Sequence, residues 1–342
     1  MLEDDGPRHS DRLHIHRPVR ANDGARFAAE VRAGLTANPK SLLPKYFYDK
    51  LGSHLFEAIS CLPEYYVTRA EQEILQDARE EIIEALDLPA QGKVRMIELG
   101  SGSAEKTHQL IKALLSRNLC LHYVPIDISD SSLTHSAEML VREFPKLRLT
   151  GYVNEYEPPL EELAAAGASE PNDRTIILFL GSSIGNLSTD ESSALLHRIR
   201  AVMQPGDVLL LGADLKKSSA ILLPAYNDAL MITAAFNLNV LLRINRELKG
   251  NFDISRFEHR ALHNEELNRI EMHLVSRDAH TAQLKAIELE VAFAAGESIH
   301  TENSYKYDIA ALAQMAETTG LHLERTWYDS KRYFGLSLLV AV

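Results

Sequence analysis

The sequence predicts an α/β protein whose main body is a doubly wound, mostly parallel sheet accompanied by a second domain. Short apolar runs alternate with helical patterns between residues 94 and 212, the reading expected of strand–helix–strand units. Within that region Ile97-Glu98-Leu99-Gly100-Ser101-Gly102 reads as a buried strand that ends on an acid and turns on glycines into a helix. Such sheets hold nucleotide-type ligands at that place, although glycine turns also serve as plain connectors. After Gly212 the alternation stops, which assigns the next stretch to an insertion or second domain.

The first strand is Val94–Leu99, an apolar run suited to the centre of a parallel sheet. Ala104–Ser116 spaces its apolar residues like a helix. His122–Ile128 follows as a second strand, Asp130–Phe144 as a helix, Leu147–Val153 as a third strand and Leu160–Ala166 as a helix. Thr175–Gly181 is the clearest buried run. Asp190–Met203 is a helix entered through the cap candidates Ser188, Thr189 and Asp190, and Gln204-Pro205-Gly206 turns into a fifth strand, Asp207–Gly212. Leu215–Leu248 reads as helical with a break at Pro224, followed by strand-like Phe257–Leu262, Arg269–Ser276 and Ala286–Phe293. Helix Ile309–Thr318 and strands Leu321–Tyr328 and Phe334–Val342 finish the sheet with an antiparallel pair.

The chain has 342 residues, with 36 Lys and Arg against 48 Asp and Glu, for a net charge of −12. That balance, with no basic block, argues against nucleic-acid binding, which needs a basic patch to displace counterions. No segment is long and apolar enough to span a membrane, and the charged N-terminus lacks the apolar core of a secretory signal. It is expected to be a flexible leader in which His14 and His16 are solvated. Cys61 and Cys120 show no metal-type spacing and read as free thiols in a reducing cytoplasm. The scattered histidines give no ligand spacing, so no metal is expected.

Three spots fall at the carboxyl ends of predicted strands, where ligands bind: the Gly100–Gly102 turn, Asp127, and Gly181-Ser182-Ser183-Ile184-Gly185-Asn186-Leu187. Asp127 follows the glycine turn at close to the roughly 20-residue spacing of a ribose-binding acid; capping the next helix is the competing account, for which Asp130 and Ser131 are also available. For Gly181–Leu187 the competing account is turn chemistry. Leu43–Ser53 and Leu62–Arg69 combine proline, tyrosine and charge outside any clean period. They suit a binding wall for a small polar ligand, or a packed loop with its hydroxyls bonded to backbone.

These elements together resemble the ergothioneine-pathway histidine Nα-methyltransferases. The resemblance rests on the tyrosine-rich front block, Glu98-Leu99-Gly100-Ser101-Gly102, Gly181-Ser182-Ser183-Ile184-Gly185-Asn186-Leu187 and Ala225-Tyr226-Asn227-Asp228. Arg269-Ile270-Glu271-Met272 and Thr301-Glu302-Asn303-Ser304 add to it. It runs in the right order from about Asn38 to the end. It implies a Rossmann-like class I methyltransferase domain, residues 70–214 and 308–342, that binds S-adenosylmethionine. It further implies a histidine-binding domain from residues 26–69 and 215–307, with 1–25 as the leader. The cofactor would be held by Gly100, Lys106, Asp127, Gly181 and the acidic–aromatic pair Glu155-Tyr156, where the family more often shows Asp-Phe. For the substrate, the resemblance assigns Asn186 and Tyr226 to the carboxylate and amine end and Tyr48 to the neighbourhood of the α-amine. Tyr65, Glu302 and Ser304 would hold the imidazole, and Met272 would line its pocket. Without the resemblance, Glu302 and Ser304 are alternate residues on one face of a strand edge.

The implied reaction is trimethylation of the α-amine of L-histidine to hercynine by a cytoplasmic monomer without metal. By analogy with chain termini the α-amine has a pKa near 8, so losing its proton costs only about 1–2 kcal/mol at neutral pH, and an ordinary tyrosine, near 10, is a poor base. Tyr48 and Asn186 are therefore expected to position the amine rather than deprotonate it. Tyrosine faces can hold the quaternary ammonium product. The alternatives are a methyltransferase for another aromatic amino acid such as tryptophan, whose indole would favour apolar residues at 302 and 304, and a non-catalytic S-adenosylmethionine-binding module. A dehydrogenase is disfavoured because the Gly-x-Gly-x-x-Gly spacing is incomplete: Glu105, followed by Lys106 and Thr107, stands where the third glycine would lie.

Overall fold

A computed structural model describes residues 12–17, 23–117, 119–166 and 173–342. In chain order the strands are β1 (Leu13–His16), β2 (Lys40–Ser41), β3 (Lys93–Leu99), β4 (Cys120–Asp127), β5 (Arg148–Val153), β6 (Arg174–Phe179) and β7 (Val208–Asp214). They continue as β8 (Phe257–Asn264), β9 (Arg269–Ser276), β10 (His280–Leu284), β11 (Leu289–Phe293), β12 (Ser298–Tyr305), β13 (Leu321–Tyr328) and β14 (Phe334–Ala341). The chain divides into two units. The first holds β1, Arg69–Leu215 and Tyr307–Val342; the second holds residues 23–68 and Lys216–Lys306.

The first unit is built on one eight-stranded sheet in the order β1-β5-β4-β3-β6-β7-β14-β13. All neighbours are parallel except the last two pairs, β7–β14 and β14–β13. The α/β class and the antiparallel finish are as the sequence predicts. From β3 the chain winds outward through β4 and β5, then returns to lay β6 against the other side of β3. That reversal makes the carboxyl ends of β3 and β6 the switch point where such sheets bind ligands. Ile97, Leu99, Ile126, Ile177 and Phe179 pack with helix residues Leu195, Ile199 and Leu312 in a core closed to water.

The second unit has a four-stranded sheet, β2-β12-β9-β8, and a separate hairpin, β10–β11. Helices Asp23–Thr36, Lys50–Ser60, Ser219–Tyr226 and Ile232–Leu248 belong to it.

Several local expectations change. Residues 13–16, counted within the leader, form a strand parallel to β5, and the His16 ring stacks on Tyr152 at 4.7 Å. His14 and His16 are exposed. Residues 23–25, also counted within the leader, open the helix Asp23–Thr36, and residues 1–11 and 18–22 lie outside the described residues. The tyrosine-rich blocks are helix termini: a 3-10 turn at Pro44–Phe47 leads into Lys50–Ser60, and Tyr66 begins the helix Tyr66–Asp77. The break expected at Pro224 falls later. Helix Ser219–Tyr226 runs through the proline and stops two residues on, and Asp228 then restarts the chain by accepting from the N–H groups of Ile232 and Thr233 at 2.9 and 2.8 Å. A proline costs a helix one hydrogen bond and a clash with the preceding turn, and near the end of a short helix the disruption ends it slightly downstream. Ala286–Phe293 is strand only from Leu289, because Lys285–Ile287 form a 3-10 turn.

Candidate active site

In the first unit the switch point is assembled from two glycine turns. Gly100, with φ +73°, leaves β3, and a side chain there would place its Cβ 3.0 Å from the Tyr156 hydroxyl. Its N–H donates to Ile126 O at 2.8 Å, extending the ladder to β4. Asp127, buried at the end of β4, accepts from Gly102 N–H on one oxygen and Ser129 N–H on the other, both at 2.8 Å. Burial raises its pKa, against the pull of those backbone donors. The helix Asp130–Glu143 is capped by Ser129, so neither Asp127 nor the alternatives Asp130 and Ser131 do that work. A carboxylate offers about four lone-pair sites, and Asp127 keeps capacity for a hydroxyl of a diol beyond its backbone donors. Glu155 and Tyr156 follow β5. Burial, and to a lesser degree the charge of Asp127, raise the Tyr156 phenol pKa.

Gly181, φ +72°, leaves β6 and donates its N–H to both oxygens of Glu71, at 2.8 and 3.0 Å. Lys106 also donates to Glu71, whose side chain is fully buried. The turn beyond is fixed at two points. Asp214 N–H donates to Ser182 Oγ at 2.9 Å, and the Tyr307 hydroxyl donates to Ile184 O at 3.2 Å. Asn186 ends the 3-10 turn Ser183–Asn186, half-buried. The donor set fits a ribose-bearing cofactor: a buried acid with spare lone pairs, a glycine whose missing Cβ leaves room, and a ring beside it. Glu98 is structural, accepting from Thr107 Oγ1 at 2.6 Å and from the Tyr123 hydroxyl, and burial lifts its pKa to about 7.

In the second unit Tyr48 sits between the 3-10 turn and the helix Lys50–Ser60, held by its neighbour Asp49. That carboxylate accepts from Gly52 N–H, Asn239 Nδ2 and Arg246 Nη2 at 2.7–2.8 Å. The Tyr48 ring meets Phe56 and Phe236 edge-on at 5.7 Å each, and the row continues through Phe56–Tyr65 at 6.1 Å to Tyr65–Tyr226 at 6.3 Å. Tyr226 is pinned by its carbonyl, which accepts from His259 Nε2 at 2.8 Å. With Asn237 Nδ2 donating to His259 Nδ1 at 2.9 Å, the imidazole is a neutral Nε2–H tautomer, and burial lowers its pKa accordingly.

Strand β12 supplies the polar face. A bulge between His300 and Glu302 resets its register against β9, setting Glu302 opposite Met272. Glu302 is 8% exposed, and burial raises its pKa to about 7 despite the nearby charge of Lys306. Ser304 and Tyr226, assigned by the resemblance to opposite ends of a ligand, have their hydroxyls only 2.7 Å apart.

Three residues escaped the sequence reading. Glu71 sits in an amphipathic helix with no motif around it. His259 acts only through a backbone carbonyl. Lys306 continues the alternation Glu302, Ser304, but past the strand end, where a lysine reads as solvated. Cys61 and Cys120 are free and exposed. Among the described residues there is no His/Cys/Asp/Glu group that could hold a metal ion, and no helix long and apolar enough to cross a membrane.

A doubly wound sheet with glycine turns at its switch point, joined to a second unit lined with aromatic and buried polar groups, is the frame of a Rossmann-like methyltransferase. A family model described as histidine-specific, S-adenosylmethionine-dependent methyltransferase matches residues 27–341, and the chain belongs to that family. It is 43% identical over 312 residues to the histidine N-alpha-methyltransferase of Mycolicibacterium smegmatis, covering 91% of this chain and 94% of the relative. The Mycobacterium tuberculosis enzyme of the same name is 41% identical over 309 residues, covering 90% and 93%. Ergothioneine biosynthesis protein 1 of Schizosaccharomyces pombe is 30% identical over 235 residues, covering 67% of this chain and 29% of that longer protein.

Proposed function

We propose that this chain is a histidine Nα-methyltransferase that adds three methyl groups to the α-amine of L-histidine, forming hercynine for ergothioneine biosynthesis. The observation that carries the substrate assignment is Glu302, a carboxylate buried opposite Met272 and beside Ser304 in the second unit. A buried acid without a matched cation is costly, and an imidazole N–H repays that cost where an apolar ring does not.

When bound, S-adenosylmethionine supplies a methyl group already activated on a sulfonium sulfur. For its binding we assign the ribose hydroxyls to Asp127, the adenine surroundings to Glu155 and Tyr156, and the open approach to Gly100 and Gly181. Lys106 keeps the second turn in place through Glu71.

The substrate amine loses its proton to solvent; its own carboxylate makes it more basic than a chain terminus, so the step costs roughly 3 kcal/mol at neutral pH, a cost that needs no strong base. Tyr48 and Asn186 orient the lone pair, and Tyr226 lines the substrate site with its ring. As methyls accumulate the amine loses its N–H donors and becomes a fixed cation. The row Tyr48, Phe56, Tyr65 and Tyr226 offers ring faces for it, each worth about 0.5–2 kcal/mol. No metal is needed, since the donor is already activated. We place the enzyme in the cytoplasm, in keeping with its two free cysteines, and assign it as a monomer on the family resemblance alone.

The test is the selectivity of Glu302→Ala. Its kcat/KM for histidine should fall by about 100-fold or more, with a much smaller loss for phenylalanine or tryptophan. Equal losses for all three amino acids would remove Glu302 from the ring site.

A further inference from the structure

Lys306 stands two residues beyond Ser304 and is only 3% exposed. Its ammonium donates to Tyr226 Oη and to Ser304 Oγ, both at 2.8 Å. The two oxygens are 2.7 Å from each other. An ammonium has three donors and no acceptor, so neither hydroxyl can spend its proton on Lys306. The phenol is the more acidic of the two hydroxyls, and on that ground is assigned as the donor to the serine. Ser304 Oγ then has both lone pairs filled, by Lys306 and Tyr226, and its own proton must leave the cluster.

We propose that Lys306 is a positioning residue that fixes Ser304 as a hydrogen-bond donor, and so selects a substrate ring carrying an unprotonated nitrogen. The proposal rests on the reading that Glu302 and Ser304 hold the imidazole. On that reading the two residues have opposite senses: Glu302 accepts from the ring N–H while Ser304 donates to the other ring nitrogen. A neutral imidazole satisfies both. An indole has an N–H but no ring acceptor, and a phenyl ring has neither, so each strands a buried O–H. Leaving such a donor unpaired costs about 10- to 100-fold in specificity.

Wild type, Lys306→Met, Lys306→Arg, Ser304→Ala and the double variant combining Lys306→Met with Ser304→Ala are compared by kcat and KM. The substrates are L-histidine, β-(4-thiazolyl)- and β-(5-thiazolyl)-L-alanine, which keep a ring acceptor without an N–H, and β-(2-thienyl)-L-alanine, which has neither. S-adenosylhomocysteine binding by calorimetry reports that each variant is folded. In the wild type the better thiazolyl substrate should exceed the thienyl one by about tenfold or more. Lys306→Met should lower histidine kcat/KM by about 10- to 100-fold, mainly through KM, and leave the thienyl substrate within about threefold. Lys306→Arg, again a pure donor, should keep the histidine-to-thienyl ratio. Adding Lys306→Met to Ser304→Ala should cost less than about threefold more, because the two act on one bond.

Equal losses on histidine and thienylalanine, or additive losses in the double variant, would overturn the proposal. So would a wild type that does not tell thiazolyl from thienyl rings, and this arm decides the matter if Lys306→Met does not bind S-adenosylhomocysteine. A wild type that methylates histidine but fails these tests rejects the role of Lys306 alone. A wild type inactive on histidine rejects the histidine reading and this proposal with it.

Discussion

At the scale of single residues, Glu302, which we assign to the substrate ring, also bears on stability. Its pKa stands at about 7 in the folded chain against an ordinary 4.5. Between those values the native state holds a proton that the unfolded chain has released, so stability is full below about pH 4.5 and is lost as pH rises through 7. Glu302→Gln removes the charge while keeping the shape. Its melting temperature should exceed that of the wild type at pH 8 and approach it at pH 5. Glu98 titrates in the same window but does so in both proteins, so the difference isolates Glu302, and a difference independent of pH would contradict the assignment. Lys106 offers a second case. The resemblance makes it a cofactor residue, whereas its visible partner is the fully buried Glu71. Lys106→Met should strand that carboxylate and lower unfolding stability by about 3 kcal/mol in urea without any ligand present. If Lys106 served only the cofactor, ligand-free stability would not change. Neither Glu71 nor Lys306 was legible in the sequence, because each takes its meaning from a partner far away in the chain.

At the scale of elements, the parallel strands were legible because a strand covered on both faces is apolar through its middle, as at Met96 and Ile97 of β3, Ile176 to Phe179 of β6 and Val208 to Leu211 of β7. Strand β12 was not. Its buried positions include Thr301, Glu302 and Ser304, so the alternation that marks a half-buried strand is written in polar residues. The front helices were hidden for a related reason: Tyr46, Tyr48, Tyr65 and Tyr66 cluster at helix ends, where proline and capping residues break the period. The glycine turn was read correctly as a turn, and its two glycines are expected to behave differently. Both have positive φ, so alanine at either strains the backbone by about 1–2 kcal/mol. At Gly100 the new methyl would also crowd Tyr156, while at Gly102 nothing lies within 4 Å. Gly100→Ala should therefore lose S-adenosylhomocysteine affinity in calorimetry by about tenfold or more, and Gly102→Ala should lose stability with little change in affinity. Equal affinities in the two variants would move the cofactor away from this turn.

At the scale of the whole molecule, the chain divides into two units, and the sequence pattern changes after Gly212 and changes back near residue 308, where a doubly wound rhythm gives way to β-rich segments and then resumes. A ligand that binds only the folded chain stabilises it by mass action: S-adenosylhomocysteine at 100 times its Kd should add about 2.7 kcal/mol to unfolding stability. Dialysis against a chelator should leave turnover unchanged. The central claim is the chemical outcome. Purified protein with S-adenosylmethionine and L-histidine, and with tryptophan and tyrosine in parallel, is followed by mass spectrometry of the amino acid. Histidine should gain three methyl groups, located on the α-nitrogen by fragmentation, and the other two amino acids should react far more slowly. Unmodified histidine, or methylation of tryptophan in its place, would contradict that claim.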